Sequence, residues 1–162
     1  MPTVWRLVKT RFAAAAFDGE GARIYGGRWN SPGVSVAYAS ETTSLAMLEI
    51  MVHLKTDEIL PLYSRVSAAF SDNFMQAISL GSLPSSWKDY PPPLETGAIG
   101  DEWIAAGSSA VLRVPSVLVE TEHNFLLNPA HSDFSKIIIG TPESFPFDER
   151  LRKEYQKAHP RS

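Results

Sequence analysis

The sequence predicts an α+β fold, a single compact domain with a mixed or antiparallel central sheet. Three observations carry this prediction: short strand-like segments outnumber helical ones, the two do not alternate regularly, and no change in composition marks a domain boundary. A chain of 162 residues also has the usual size of one domain. We therefore expect one domain over residues 1–150 and a charged tail that frays over residues 151–162.

Segments rich in β-branched and aromatic residues predict the strands. They cover residues 3–8, 35–39, 60–68, 110–114 and 136–140. In the third segment the alternation predicts an inner side with Leu62 and Val66 and an outer side with Tyr63.

Two helices are predicted. The first covers residues 42–54 and follows Ser40-Glu-Thr-Thr43, a cluster of residue types that cap helix N-termini. The second covers residues 95–106, although Gly97 and Gly100 lower its helix propensity. Residues 71–93 are serine-rich and contain three consecutive prolines, so an irregular excursion is expected there.

Composition excludes several classes of protein. The formal charge of −3 provides no field to concentrate nucleic acid or anionic lipid, so direct nucleic-acid binding is not expected. The absence of cysteine excludes disulfides, thiolate metal sites and a cysteine nucleophile. The apolar run at residues 12–17 is shorter than a secretory segment, and no membrane span is predicted, so we expect a cytoplasmic protein.

The common cofactor and nucleophile motifs do not occur. The sequence has no G-x-G-x-x-G turn, no phosphate-binding G-x-x-x-x-G-K-[ST] loop and no G-x-S-x-G elbow. Its histidines, His53, His123, His131 and His159, show no H-E-x-x-H spacing. We therefore predict no metal site.

Glu49 is the most informative single residue. At helical spacing it falls between Leu45, Leu48 and Val52 on one face of the first predicted helix, which directs a carboxylate into the core. A buried glutamate must be paired, hydrogen-bonded or placed in a cleft. Two interpretations stay open: a buried ion pair with one of two arginines, Arg6 or Arg28, or a catalytic carboxylate at the floor of a cleft.

Arg28 lies in a loop bounded by glycine and proline, Gly26-Gly-Arg-Trp-Asn-Ser-Pro-Gly33, between two predicted strands. An arginine held by a rigid turn suits a phosphate or pyrophosphate, which it can bind through two parallel hydrogen bonds. The alternative is a surface arginine stacked on Trp29.

A set of short motifs extends along nearly the whole chain: Gly27-Arg28-Trp29, Tyr38-Ala-Ser40, Leu48-Glu49, His53-Leu54, Val114-Pro-Ser116, Asn124-Phe-Leu-Leu-Asn-Pro-x-His131 and Pro146-Phe-Asp148. Taken together, these motifs resemble those of the RES-domain family of toxins. The steps of ten residues from Arg28 to Tyr38 and eleven from Tyr38 to Glu49 match the family's order of arginine, tyrosine and glutamate.

The resemblance implies a toxin of a type II toxin–antitoxin pair with a fold similar to ADP-ribosyltransferases. Such a toxin breaks the nicotinamide–ribose bond of NAD, which is a consumed substrate and not a cofactor. The implied partner is an Xre-type helix-turn-helix antitoxin. The implied catalytic residues are Arg28, Tyr38, Glu49 and Ser116, and the implied substrate-binding residues are Arg6, Arg28, Tyr38 and Asn124.

In this interpretation Arg28 clamps the pyrophosphate, Tyr38 stacks on nicotinamide, Glu49 stabilises the cationic transition state and Ser116 orients the substrate. The acceptor stays open between water, phosphate and a protein side chain. Two alternative functions are a protein ADP-ribosyltransferase and a non-enzymatic module that binds a partner through residues 71–93. A homodimer or a toxin–antitoxin hetero-oligomer is the expected assembly.

Overall fold

The computed structural model of the chain describes residues 1–54, 62–158 and 160. Its strands are β1 (Thr3–Lys9), β2 (Ala37–Ser40), β3 (Tyr63–Ala69), β4 (Met75–Ala77), β5 (Val111–Pro115), β6 (His123–Leu127), β7 (Ile138–Ile139) and β8 (Glu143–Phe145). Its helices are α1 (Glu20–Tyr25), α2 (Thr43–His53), α3 (Leu94–Ala106) and α4 (Glu149–Ala158). The predicted α+β class is confirmed.

The strands form one mixed sheet in the order β4-β5-β6-β2-β1-β3-β7, and β8 also pairs with β3. The described strands pair antiparallel except β4 and β5, which run parallel. The central strands β1 and β2 meet at a single register pair of described residues, Trp5 opposite Ser40. We call this junction the seam, because it joins the two halves of the sheet.

Apolar side chains cover both faces of the sheet. One face carries a cluster that includes Val4, Val66 and Phe125. The opposite face carries two separate clusters, one beneath α3 around Trp103 and one beneath α2 around Leu7. Strand β2 lies between β6, which contributes to the cluster around Trp103, and β1, which contributes to the cluster around Leu7, and Tyr38 of β2 packs against the former.

The alternation predicted for the third strand is wrong at its start. Tyr63 is 6% exposed whereas Leu62 is 81% exposed. The strand is covered on both faces, since Val66 packs in one cluster and Tyr63 in another, and an inner and outer side cannot then be distinguished by apolarity. Residues 60 and 61 of the prediction lie outside the described residues.

Other elements also differ from the prediction. The stretch 71–93 contains the short edge strand β4, and the strand predicted at 136–140 is reduced to β7 because residues 132–136 form a 3-10 turn. The sequence analysis did not find α1, β6 or β8. These are short elements that depend on tertiary contacts more than on local propensity.

The tail predicted to fray is the helix α4. The carboxylate of Asp148 accepts a hydrogen bond from the backbone N–H of Arg150 at 2.8 Å, and the Arg150 guanidinium lowers the pKa of Asp148 to about 2. The Tyr155 hydroxyl donates to the Leu54 carbonyl at 2.6 Å and ties the helix to the end of α2. The domain boundary at residue 150 stays a prediction. Among the described residues, no helix has the length and apolarity needed to span a membrane.

The glycines of α3 allow the helix to lie directly against the loop that carries Arg28. A Cβ at Gly100 would overlap the backbone carbonyl of Trp29, while one at Gly97 would make only an ordinary contact, 3.8 Å from the Ser31 hydroxyl. The Asp101 carboxylate also accepts a hydrogen bond from the Ser31 N–H at 2.9 Å. Helix α3 therefore forms the support of this loop.

We predict that Gly100→Ala lowers the free energy of unfolding by about 1–3 kcal/mol, because the added methyl displaces the Trp29 backbone. The matched control in the same helix is Gly97→Ala, which should raise that free energy by up to about 1 kcal/mol through helix propensity. Urea unfolding of both variants measures the difference. Equal midpoints for the two variants would contradict the close approach of α3.

Candidate functional site

The loop of Arg28 begins with a tight turn. Gly27 and Asn30 exchange backbone hydrogen bonds of 3.0 and 3.4 Å. The Asn30 side chain is buried and donates to the carbonyls of Ala22 at 2.8 Å and Val34 at 3.1 Å. Asn30 thus fixes the loop to its surroundings. It is a residue that the sequence analysis missed, although it stands within the quoted glycine–proline loop.

Tyr38 in β2 stabilises this turn through its hydroxyl. Its hydroxyl donates to Asn30 Oδ1 at 2.7 Å and accepts from the Trp29 N–H at 3.0 Å. Burial raises the pKa of Tyr38, which keeps the hydroxyl protonated and able to donate. A Cβ at Gly27 would lie 2.7 Å from the Tyr38 hydroxyl oxygen, so glycine is required for this contact. The stacking of Tyr38 on a ligand stays a prediction.

Arg28 projects from the turn and is anchored by one nitrogen. Its Nη1 donates to the carbonyls of Trp87 at 2.7 Å and Asp89 at 2.9 Å, whereas Nε and Nη2 make no hydrogen bond to the described residues. Burial lowers the pKa of Arg28, and the charge of Glu49 opposes this effect more than that of Asp89 or Tyr38. The guanidinium is therefore fixed in position, with two nitrogens that can still bind an anion.

Glu49 is half-buried at the edge of α2, so the prediction that it points into the core is wrong. The residues of α2 that are fully buried are Leu45 and Ala46, while Leu48 is 39% and Val52 is 58% exposed. Helix α2 therefore packs on the sheet through only some of its apolar residues, and Leu48 and Val52 lie outside that contact. Thr42 begins the helix as predicted, since its hydroxyl accepts from the Leu45 N–H at 3.0 Å.

Two polar side chains connect the sheet to Glu49. The Ser40 hydroxyl donates to Asn124 Oδ1 at 2.9 Å, and Asn124 Nδ2 donates to Glu49 Oε1 at 2.7 Å. Ser40 and Asn124 are opposite each other on β2 and β6. The structure therefore brings the predicted residue Asn124 next to Glu49 and adds Ser40, which the sequence analysis quoted but did not assign to the site.

The ion pair considered for Glu49 does not form. Within the described residues, no ion pair joins Glu49 to Arg6 or Arg28, and Glu49 Oε2 accepts no hydrogen bond. The carboxylate and the Arg28 guanidinium still act on each other electrostatically, as the pKa of Arg28 shows. The second oxygen of the carboxylate is therefore available to a ligand.

Arg6 crosses the seam. Its Nη1 donates to the Tyr38 carbonyl at 2.6 Å, so it connects β1 to β2 close to their single register pair. Its Nε is fully enclosed and has no hydrogen-bond partner among the described residues. Burial lowers the pKa of Arg6, and the charge of Asp18 partly opposes that effect. An enclosed cation of this kind is costly unless an anion approaches it. Substrate binding by Arg6 stays a prediction.

Ser116 is fully buried after β5, and its hydroxyl oxygen has a local structural role. The oxygen accepts hydrogen bonds from the N–H groups of Leu118 and Val119, both at 3.1 Å. The Ser116 N–H donates a hydrogen bond to the Glu122 carbonyl. The Glu122 carboxylate accepts a hydrogen bond from the Thr42 hydroxyl at the start of α2. No hydrogen bond joins Ser116 to Glu49 or Arg28, so its contact with substrate stays a prediction.

No group of three or more His, Asp or Glu side chains that could hold a metal ion occurs among residues 1–54 and 62–158. His131 instead begins the 3-10 turn of residues 132–136, since its Nδ1 accepts from the Asp133 N–H at 3.0 Å. His123 lies 3.1 Å from a Glu41 carboxylate oxygen at the surface. These contacts give both histidines structural roles.

We predict that Tyr38→Phe lowers the free energy of unfolding by about 1–3 kcal/mol, because the Trp29 N–H and Asn30 Oδ1 lose their partner. The deficit should shrink above pH 10.0, the ordinary pKa of tyrosine, because only the unfolded wild type then ionises freely. The contribution of Tyr38 is thus complete below that pH and is lost as the pH rises.

Urea unfolding at about pH 8 and about pH 11 measures both effects. The control is Tyr25→Phe, because Tyr25 is 83% exposed and should show no change at either pH. A Tyr38→Phe deficit that is equal at both pH values would contradict the buried, protonated hydroxyl.

Residues 3–148 match the family of the RES domain. A protein named Toxin Res from Yersinia enterocolitica is 39% identical over 92% of this chain and 99% of its own length, and another from Photorhabdus laumondii is 36% identical over 93% and 97%. A Prs ADP-ribosylating toxin from Sphingobium is 33% identical over 91% of this chain and 94% of its own length.

The fold is also similar to a chain in the crystal structure of the Mycobacterium tuberculosis MbcT–MbcA toxin–antitoxin complex. That alignment has a TM-score of 0.73 at 15% sequence identity and covers 96% of this chain and 87% of the other. The chain belongs to the RES-domain family, as the match over residues 3–148 and the relatives of 39% and 36% identity show.

Proposed function

We propose that the chain is the toxin of a type II toxin–antitoxin pair and that it depletes NAD by cleaving the nicotinamide–ribose bond. The observation that carries the proposal is that Glu49 Oε2 and the Nε and Nη2 of Arg28 make no hydrogen bond to the described residues. Charged groups whose hydrogen-bonding capacity the fold leaves unused can bind a ligand. Held apart as they are, each can bind a different part of one ligand.

The chemistry requires one carboxylate. Cleavage of the bond to a pyridinium develops positive charge on the ribose, as in glycoside hydrolysis, and a nearby carboxylate stabilises that charge. Nicotinamide leaves as a neutral molecule, so no strong general acid is needed. Glu49, held on one oxygen by Asn124, offers its second oxygen to the ribose.

The remaining site residues bind the substrate or stabilise the site in this proposal. Arg28 binds the pyrophosphate through the two nitrogens that the 87–89 backbone leaves without a partner. Tyr38 fixes the Arg28 loop through its hydroxyl and offers its ring to nicotinamide. Arg6 supplies a second positive charge next to the Tyr38 carbonyl, and the fully buried Ser116 acts on the site indirectly, through the turn after β5 that its hydroxyl stabilises.

The acceptor of the ribosyl group is water or phosphate in this proposal. The name of the Sphingobium relative, Prs ADP-ribosylating toxin, supports a second candidate, transfer of ADP-ribose to a protein. Adenine-labelled NAD distinguishes the two. Label that stays on small molecules supports hydrolysis or phosphorolysis, while label on a protein supports transfer.

The partner in this proposal is an Xre-type helix-turn-helix antitoxin that neutralises the toxin in the cytoplasm. The relatives named Toxin Res and the solved toxin–antitoxin complex support an antitoxin partner, and the resemblance of the motifs supports its Xre type. The alternative of a non-enzymatic module required a structural Glu49–Arg28 ion pair, which the geometry does not support.

We predict that Glu49→Gln lowers kcat for nicotinamide release by at least about 100-fold, because glutamine retains the size but not the charge that stabilises the transition state. Its control is Glu102→Gln, an exposed carboxylate of α3, which should keep wild-type activity. Chromatographic quantification of nicotinamide measures both variants. A Glu49→Gln rate close to that of the wild type would refute the role of the carboxylate.

We predict that Arg28→Ala raises the Kd for NAD by about 10-fold or more, because charge-assisted hydrogen bonds to the pyrophosphate are lost. Arg28→Lys should recover little affinity, since an ammonium lacks the planar fork. Calorimetric titration in the Glu49→Gln background prevents turnover during the measurement. The control is Arg23→Ala, which removes an exposed arginine paired with Glu20, and an Arg28→Ala affinity equal to this control would exclude the clamp.

A further inference from the structure

We propose that Ser40 is a positioning residue that acts through Asn124 to set the orientation of the Glu49 carboxylate. Ser40 lies at the seam, opposite Trp5 on β1 and opposite Asn124 on β6. It is 4% exposed, and its contact with Glu49 is indirect. The proposal rests on the proposed function, in which Glu49 must present one oxygen to the substrate.

The direction of the hydrogen bonds follows from chemistry. An ionised carboxylate can only accept, so the Asn124 amide must turn Nδ2 toward Glu49. This orientation directs Asn124 Oδ1 toward Ser40, whose hydroxyl must then donate its proton to that oxygen. The three side chains therefore form one series of hydrogen bonds in which Ser40 donates to Asn124 and Asn124 donates to Glu49.

Removal of the Ser40 hydroxyl should release the Asn124 amide. The amide oxygen would lose its partner and could rotate toward other donors, which withdraws Nδ2 from Glu49. The carboxylate would then sample orientations in which neither oxygen faces the ribose, and small misplacements of a reacting group reduce rates strongly. Binding of NAD through Arg28 would be unaffected, because Arg28 is anchored separately on residues 87–89.

A matched control exists in the same sheet. Ser64 on β3 is also 4% exposed, and its hydroxyl also makes one side-chain hydrogen bond, to Thr10 at 3.0 Å. Ser64→Ala therefore removes an equally buried hydroxyl without changing the chain of Ser40, Asn124 and Glu49. Any loss caused only by a cavity or by lower stability appears in both variants.

The first experiment compares kcat and KM for nicotinamide release. Ser40→Ala should lower kcat by about 10-fold and leave KM within about twofold, whereas Ser64→Ala should change neither. Ser40→Thr, which retains the hydroxyl, should recover most of kcat. Asn124→Ala should lower kcat at least as much as Ser40→Ala, and the double variant should be no slower than Asn124→Ala alone, because Ser40 acts only through Asn124.

Additive losses in the double variant, or equal losses in Ser40→Ala and Ser64→Ala, would overturn the proposal. A second readout does not depend on turnover. Ser40→Ala should shift the side-chain amide NMR signals of Asn124, and Ser64→Ala should leave them in place. Unchanged signals in Ser40→Ala would refute the positioning role. If the wild type releases no nicotinamide, cleavage of NAD with water or phosphate as the acceptor is refuted instead, and these amide signals alone decide the role of Ser40.

Discussion

The hydrogen bond from Arg6 to the Tyr38 carbonyl is the interaction on which the rest of the site depends. It crosses the seam, where β1 and β2 share only the pair of Trp5 and Ser40. The 2.6 Å bond from an enclosed guanidinium adds a second connection between the two strands at this junction.

Strand β2 connects this hydrogen bond to the surroundings of Arg28 and Glu49. The Tyr38 carbonyl accepts a hydrogen bond from Arg6, and the Tyr38 hydroxyl binds the turn that carries Arg28. One residue therefore connects the Arg28 loop to the seam. Two residues further along β2, Ser40 connects the same strand to Asn124 and Glu49. Residues of β2, Ala37–Ser40, therefore contact the supports of both charged groups, and Arg28 has a further anchor on residues 87–89.

The sequence predicted those features that depend on local chemistry. Thr42 begins α2 because a hydroxyl cap is a local device, and Arg28 lies in a tight loop because glycine and proline impose one. The surroundings of Glu49 could not be predicted, since Leu48 and Val52 are apolar yet exposed and only tertiary packing decides which face of α2 is covered. Gly100 lowers the helix propensity of α3 in the sequence, but in the structure it allows the helix to approach the Trp29 backbone closely.

The measurement that tests the account most directly is a proton NMR time course of NAD with the purified chain, freed of any partner, with and without phosphate. The account predicts that free nicotinamide appears as NAD disappears and that the ribosyl product is ADP-ribose or, when phosphate is the acceptor, its phosphorylated counterpart. NAD that stays intact in both buffers, with no protein acceptor present, would contradict cleavage of NAD with water or phosphate as the acceptor and would leave transfer of ADP-ribose to a protein as the candidate function.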